Sequence, residues 1–423
     1  MSRPRGLLVL TGILAASLTA GLGAWKRWHT VWHPPPVESL PAQPRGDVST
    51  QVGDLPAPSP SDRPAVFSPP DPKASTQGFR GGREHRHRSP FTGPTAAPHA
   101  ELDYDAGAPL EAMPAITPDG DLIVATLGGK VVRLTPSGKP VWTYDLRERA
   151  YASPLISGDV VIVGSDAKKV VALTLATGKP RWQVDVDGEA DTAPAEGPGG
   201  VVVFAAGRVL YEVKLDGTIR FRLKLPRKIY SSPAIADDGT ILVGAQDKKL
   251  YAVSPEGAVR WSKDLGGDVD CAPSIGDAGR IYAASDAGEV VALDLQGKER
   301  WRSRVGGFIR GGLTVGRGGL VFAGTYGPAP RIVALDGATG RERWSFSIQG
   351  TGAPEYGIHG APLEDGSGNL YFGAHDDAVY GLDGEGRLRF RFMTHGDVDA
   401  PLVLGASGVL YAASDDGHLY GLR

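Results

Sequence analysis

The stretch VALDGATGRERW, residues 333–344, recurs in imperfect copies along the chain. Each copy places a turn with glycine shortly before an aromatic residue, as in VALTLATGKPRW and YAVSPEGAVRW. The other copies end at Trp142, Trp182, Phe221, Trp261, Trp301 and Phe390. Self-similarity at a fixed period indicates a repeat architecture, in which every repeat is one supersecondary unit that stacks on its neighbours.

The units begin with a small residue followed by proline, as in YASP and DCAP. These step prolines are Pro114, Pro154, Pro194, Pro233, Pro273, Pro362 and Pro401, with Leu313 in one slot. Successive intervals are 40, 40, 39, 40, 40, 49 and 39 residues, which suits a propeller blade. Each unit contains four short apolar runs separated by turn-forming residues, which predicts four strands.

The two ends of the repeat region complement each other. The last unit stops after its third strand, and residues 102–114 align without a gap with residues 142–154. We therefore predict an all-β, monomeric, eight-bladed β-propeller over residues 101–423, with the N-terminal strand completing the last blade and leaving no open edge. The residues expected to pack between blades are Leu102, Trp142, Trp182, Phe221, Trp261, Trp301, Trp344 and Phe390.

The first hundred residues have a different composition. Residues 6–25 carry no charge and reach the length that spans a bilayer, while their small residues are typical of a secretory signal. We predict a signal anchor or signal peptide over residues 1–28, which would attach the protein to the membrane if it is not cleaved. Residues 29–100 are predicted to be a disordered, proline-rich linker. Its basic run GFRGGREHRHR, residues 78–88, is either a patch for polyanions or a solvated piece of linker, and the second interpretation is favoured.

Composition excludes several classes of function. The chain has 45 Lys plus Arg against 48 Asp plus Glu, a net charge of -3, which argues against nucleic-acid binding. Cys271 is the only cysteine, so no intrachain disulfide or cysteine-based zinc site can form. The acidic residues that recur between the second and third strands favour the turn itself, and they are Asp166, Asp286, Asp376 and Asp415. We treat four histidines as isolated because they lack metal-ligand spacing, and they are His359, His375, His395 and His418. No metal and no cofactor is predicted.

At ALDGATGRERW the chain resembles the pyrroloquinoline-quinone-type propeller repeat. The matching residues are Ala334, Asp336, Thr339, Gly340 and Trp344. The family includes quinoprotein dehydrogenases, in which the resemblance implies a quinone and calcium over the funnel, and non-catalytic members such as the propeller subunit of the outer-membrane barrel-assembly machinery. This chain has no cysteine pair, and its blades are short. The resemblance thus favours a non-catalytic scaffold for an envelope protein partner, periplasmic or at the cell surface, tethered to the inner membrane or secreted. A quinone or saccharide sensor and a quinone-dependent dehydrogenase are the alternatives.

Two groups of residues are candidates for binding. The first stands about three residues before each step position and is expected to surround one mouth of the ring: Glu111, Tyr151, Asp191, Tyr230, Asp270, Arg310, His359 and Asp399. This acidic and aromatic mixture suits a basic loop of a partner or a polar ligand. The second group lies in the lengthened loops of the 49-residue interval: Tyr326, Arg331, Glu355 and Tyr356.

Overall fold

The computed structural model describes residues 78–423, so the predicted signal segment and residues 29–77 of the predicted linker lie outside the described residues. The described part is almost entirely β-structure. Short 3₁₀ turns occur at Phe79–Gly81, Asp277–Gly279 and Arg317–Gly319. Within residues 78–423, no helix combines the length and the apolar character that crossing a membrane requires.

Eight antiparallel four-stranded sheets form the blades of a propeller. The first blade contains β2 (Ala115–Ile116), β3 (Leu122–Ala125), β4 (Lys130–Leu134) and β5 (Pro140–Asp145). The second contains β6 (Leu155–Ser157), β7 (Val160–Ser165), β8 (Lys169–Thr174) and β9 (Pro180–Asp185). The third contains β10 (Ala195–Gly197), β11 (Val201–Ala206), β12 (Val209–Lys214) and β13 (Ile219–Lys224). The fourth contains β14 (Ala234–Ile235), β15 (Ile241–Ala245), β16 (Lys249–Val253) and β17 (Val259–Asp264).

The remaining blades repeat this order. The fifth contains β18 (Ser274–Ile275), β19 (Ile281–Ser285), β20 (Glu289–Leu293) and β21 (Glu299–Arg304). The sixth contains β22 (Leu313–Val315), β23 (Leu320–Gly324), β24 (Arg331–Asp336) and β25 (Glu342–Ser347). The seventh contains β26 (Leu363–Glu364), β27 (Leu370–Ala374), β28 (Ala378–Leu382) and β29 (Leu388–Met393). The eighth contains β30 (Val403–Leu404), β31 (Leu410–Ala413), β32 (His418–Leu422) and, from the N-terminal side, β1 (Ala100–Asp105).

The closing strand confirms the predicted ring. Strand β1 pairs antiparallel with β32, and Leu102 lies opposite Gly421 while Tyr104 lies opposite Leu419. The eighth sheet therefore joins the start of the repeat region to its end. The side chain of Leu102 is buried, and the α-carbon of Gly138 in the first blade packs directly against it.

Burial follows the position of each strand in its blade. The second strands are buried almost throughout, and so are most residues of the third strands, because both faces pack against neighbouring blades. The fourth strands alternate between exposed and half-buried residues, as outer strands with one solvated face do. The core is thus a series of clusters between adjacent sheets rather than one central core.

The tryptophans lie at these blade interfaces. The Trp142 indole donates a 2.8 Å hydrogen bond to the carbonyl of Leu175 in the next blade, and the Trp261 indole donates one of 2.8 Å to Leu295. Trp182, Trp301 and Trp344 make equivalent bonds to the following blades. A glycine of the next blade covers each ring, as Gly297 covers Trp261. The repeated glycine and aromatic residue thus meet across an interface, not within one repeat.

The chain before β1 differs from the sequence prediction. Residues 78–100 pack against the propeller instead of forming the solvated end of a linker. Within the basic run, Arg80, His85 and His87 are almost completely buried along the axis of the ring. We call residues 79–90 the axial segment. Hydropathy was misleading here because the buried polar groups are satisfied largely by backbone carbonyls, which leave no trace in the sequence.

Candidate functional site

The first predicted group converges on one cavity at the axis of the ring. All eight members line it: Glu111, Tyr151, Asp191, Tyr230, Asp270, Arg310, His359 and Asp399. They meet there because each directly precedes the first strand of its blade, and the first strands surround the axis. We call this cavity the mouth. Its volume is ≈ 130 Å³, and Phe79 of the axial segment forms part of its wall.

Three carboxyl groups at and beside the mouth, those of Glu111, Asp270 and Asp415, have pKa values raised above their ordinary range. Burial, and then the nearby charge of Asp399, raises the pKa of Glu111 to about 7. Burial also raises the pKa of Asp270 to about 6. The pKa of Asp415, a neighbour from the last blade, rises to about 8 because of burial and the negative charges of Asp399 and Glu111. The mouth therefore holds several carboxyl groups that titrate close to neutral pH and that a positive charge would ionise.

One histidine offsets part of this acidity. His375 hydrogen-bonds through Nε2 to Asp399, and its Nδ1 lies 3.5 Å from Asp397. Burial disfavours a charged imidazole, but the hydrogen bond and the charge of Asp399 together raise the pKa of His375. Burial likewise opposes ionisation of Asp399, yet the same hydrogen bond lowers its pKa. The two groups thus form an ion pair beside the mouth.

Two basic side chains, Arg310 and Lys228, lie over aromatic rings at the same rim. Arg310 lies 3.2 Å from Asp286 through Nη2, and its guanidinium carbon is 5.5 Å from the Tyr326 ring centre. Lys228 lies 3.1 Å from a carboxylate oxygen of Glu189, and its Nζ is 4.3 Å from the ring centre of Tyr230. These contacts show that the rim already accommodates cations over aromatic faces.

The structure brings only two of the four residues of the second predicted group, Tyr326 and Tyr356, to the same histidine, His375. Tyr326 is buried and makes edge-on contacts with His359 and His375, with ring centres 5.6 and 5.0 Å apart. Tyr356 is half-buried, with its ring centre 6.3 Å from that of His375. Arg331 instead hydrogen-bonds to Glu342 and Ser345 on the next strand of its own blade and to the carbonyl of Val305 at the end of the fifth blade. Glu355 is exposed in the loop.

Sequence reasoning missed the side chains that contact or surround the mouth residues from the turns between second and third strands, namely Asp286, His375 and Asp415. His359 and His375, which we expected to be isolated, lie with ring centres 6.4 Å apart. The recurring acidic residues expected to stabilise turns also contribute, since Asp286 binds Arg310 and Asp415 adds its charge. Their recurrence in the turn after the second strand, two strands after the mouth position of each blade, was the available signal. Within residues 78–423, no three His, Cys, Asp or Glu side chains are arranged to hold a metal ion.

A larger cavity, of ≈ 410 Å³, lies between the axial segment and the second and third blades. Its walls include Phe79, Leu155, Ile156 and Glu196, together with Gly78, where the described chain begins. Phe79 thus borders both cavities, so the axial segment separates the mouth from the space behind it.

Comparison with known proteins agrees with this geometry. The family model described as "Outer membrane protein assembly factor BamB" matches residues 95–196, 167–264, 199–294 and 246–389, more than half of the chain. The chain belongs to this family. No curated protein matches it.

Among solved structures, the chain is similar to BamB from Moraxella catarrhalis, with 21% identity and a TM-score of 0.66 over 77% of this chain and 100% of that one. It is also similar to the quinohemoprotein alcohol dehydrogenase from Comamonas testosteroni, with 14% identity and a TM-score of 0.70 over 84% and 81% of the two chains. A europium-containing methanol dehydrogenase matches with 10% identity and a TM-score of 0.68, over 81% and 90%. At these identities the similarities show the PQQ-like propeller fold, which supports both scaffolds and enzymes.

Proposed function

We propose that this protein is a non-catalytic, extracytoplasmic binding scaffold, and that its mouth receives a basic element of a protein partner in envelope assembly. The observation that carries the proposal is the convergence of four carboxyl groups and two tyrosines on a cavity of ≈ 130 Å³. Sites that enclose small molecules usually measure about 300–1,000 Å³. The mouth is therefore better suited to the tip of an inserted side chain than to an enclosed multi-ring cofactor.

The electrostatics of the mouth favour binding of a cationic side chain. The Oδ1 atoms of Asp191, Asp270 and Asp286 are buried and have no hydrogen-bond partner among the described residues. A lysine or arginine side chain would supply the missing donors and stabilise the ionised carboxylates. Tyr230, which is exposed, offers an aromatic face at the same rim. Membership of a family described by an outer membrane protein assembly factor supports the envelope setting.

The proposal that a partner binds in the mouth is tested by affinity capture from envelopes with the full-length protein as bait. We compare a mouth variant, D191N/D270N, with a control, D119N/D216N, which removes two exposed charges from hairpins at the other end of the ring. A partner that binds in the mouth should be retained by the wild type and the control and lost by the mouth variant. Equal retention by all three baits contradicts the proposed site.

The alternatives are tested on the same preparation. Full-length protein is titrated with pyrroloquinoline quinone and calcium, and dye reduction is then followed with alcohols as substrates. We expect neither saturable quinone binding nor turnover. Tight binding with turnover would establish a dehydrogenase, whereas binding without turnover would favour a quinone sensor.

A further inference from the structure

The axial segment follows the inner ends of four consecutive blades. The backbone N–H groups of Ile235, Ile275 and Val315 donate hydrogen bonds of 2.8, 2.8 and 3.0 Å to the carbonyls of Arg83, Glu84 and Arg86. In the seventh blade, the N–H of Glu364 donates to the carbonyl of His87, and the N–H of Ser89 donates back to that of Glu364. These bonds use the free inner edges of first strands, which is how an added peptide strand binds a sheet.

Side chains on the outer side of the segment match the same blades. Arg83 lies 2.5 Å from Asp237 at the turn after β14, and Arg86 lies 3.0 Å from Asp277 at the equivalent turn after β18. In the sixth blade, Arg317 donates to the carbonyl of Ser89 over 2.8 Å. The sequence of the segment is therefore in register with the blades.

The buried face of the segment is held by backbone oxygens. Arg80 has no exposed surface, and its guanidinium donates to the carbonyls of Ala272, His85 and Leu313 and to the hydroxyl of Ser274. His85 donates from Nδ1 to the carbonyl of Pro273 over 3.2 Å. His87 donates from Nε2 to the carbonyl of Leu402 over 3.0 Å. Burial lowers the pKa of both histidines, which are therefore neutral at pH 7.

The sixth blade of the ring departs from the repeat at the position that faces Arg80. Seven of the eight step positions place a residue with a β-carbon before the proline or its equivalent, whereas the sixth blade has Gly312 followed by Leu313. A β-carbon at Gly312 would lie 2.1 Å from Nη1 of Arg80. Gly312 also has φ +114°, which a following proline would disfavour. The break in the repeat thus makes room for the Arg80 guanidinium.

The segment does not take this shape through local preference. Arg80, His85 and His87 have φ of 52°, 53° and 53°, in the left-handed region that non-glycine residues rarely occupy. Three such residues within eight positions are unfavourable by about 1–2 kcal/mol each. All three residues are buried, so contacts with the ring must select the conformation.

We propose that the axial channel of the ring is a peptide-binding site whose ligand is this chain's own segment 79–90, recognised by a buried arginine and two neutral histidines. The bound segment ties the fourth to seventh blades together and closes the channel behind the mouth. Phe79 of the segment also forms part of the wall of the mouth, but the contacts that hold the segment in the channel are separate from the acidic residues proposed to bind the partner.

Hydrogen exchange of the full-length wild type is the first test. The amides of His85, His87 and Ser89, and those of Ile275 and Val315, should exchange as slowly as amides inside the blades. Exchange of residues 79–90 at the rate of an unstructured chain would overturn the proposal. This measurement requires no substitution and so does not depend on whether a variant folds.

The second test compares two arginines of the same segment. R80A removes the buried guanidinium, while R83A removes a partly exposed one that pairs with the exposed Asp237. R80A should accelerate exchange of the Ile275 and Val315 amides by about tenfold to a hundredfold, because several buried hydrogen bonds are lost. R83A should change these rates less than about threefold. Equal effects of the two substitutions would contradict the site.

A double-mutant cycle probes the fit between Arg80 and Gly312. G312A introduces the predicted contact with Arg80 together with backbone strain, and only the contact disappears when Arg80 is also replaced. G312A should therefore accelerate exchange in the axial segment more strongly in the wild-type background than in the R80A background. Additive effects would show that Gly312 does not accommodate Arg80.

Discussion

Two glycines of the fifth blade allow the packing between blades to be measured. Gly297 and Gly306 both have left-handed backbone conformations, with φ of +77° and +79°. A β-carbon at Gly297 would lie 2.8 Å from Cδ2 of Trp261 in the fourth blade, whereas one at Gly306 would meet no atom within 4 Å. Alanine at either position therefore has the same backbone cost, but only G297A presses on the blade interface.

The expected magnitudes follow from these contacts. The left-handed conformation costs alanine about 1–2 kcal/mol at each site. Overpacking against Trp261 adds about 1–3 kcal/mol at Gly297, and displacement of the ring would also weaken its 2.8 Å hydrogen bond to Leu295. We expect G306A to lower the free energy of unfolding by about 1–2 kcal/mol and G297A by about 2–5 kcal/mol.

Urea unfolding, followed by tryptophan fluorescence and by circular dichroism, measures the difference. The comparison uses transition midpoints and requires that both variants keep the wild-type slope, since a changed slope would mean that the unfolding mechanism had changed. Equal destabilisation by G297A and G306A would refute the conclusion that the glycine of each repeat is required by the aromatic residue of the preceding blade.

Three further predictions concern closure and pH. L102A should lower the free energy of unfolding by about 2–5 kcal/mol because it empties a buried position of the closing blade, whereas E101A on the same strand should cost less than about 1 kcal/mol in the same urea titration. His87 has a folded pKa of about 3 against an ordinary value of 6.5, so between these values only the unfolded chain gains this proton as the pH falls. Protonation at this site should therefore lower the free energy of unfolding of the wild type by up to about 1.4 kcal/mol per pH unit between about pH 6 and pH 4. The free energy of unfolding of H87Q should depend less steeply on pH in this range, by the same amount per pH unit. The effect of Glu111 on the pH dependence of stability has the opposite sign, because its raised pKa of about 7 makes the folded state lose stability as the pH rises from about 4.5 to 7. E111Q should be more stable than the wild type at pH 8 and equal to it near pH 4.5. A gain of the same size at both pH values would contradict the raised pKa.

The ring could be predicted from the sequence because its determinants repeat. The same pattern of residues occurs in eight repeats because each blade must pack against its neighbours in the same way. The gapless match of residues 102–114 to 142–154 indicates the closure of the ring, which β1 and β32 make by pairing. The positions around the mouth could be found for the same reason, since the fold places equivalent residues of every blade around one axis. Their pairing could not, because the equivalent contacts join different residue types in different blades. His375 pairs with Asp399, Asp286 with Arg310, and Gln246 with Asp270, although the separation is 24 residues each time.

The axial segment shows where repeat-based reasoning fails. It occurs once, so no periodicity supports it, and its composition is that of a solvated basic linker. The sequence indicates the axial segment only through the ring residues that contact it. The sixth blade has leucine instead of the step proline, and the residue before it is glycine where the other blades have a residue with a side chain. A position that departs from its repeat in both residues indicates contact with something outside the repeat, because every contact between blades would act on all copies alike. By this argument the Gly312–Leu313 step predicts an axial partner for the sixth blade, and Arg80 occupies that place in the structure.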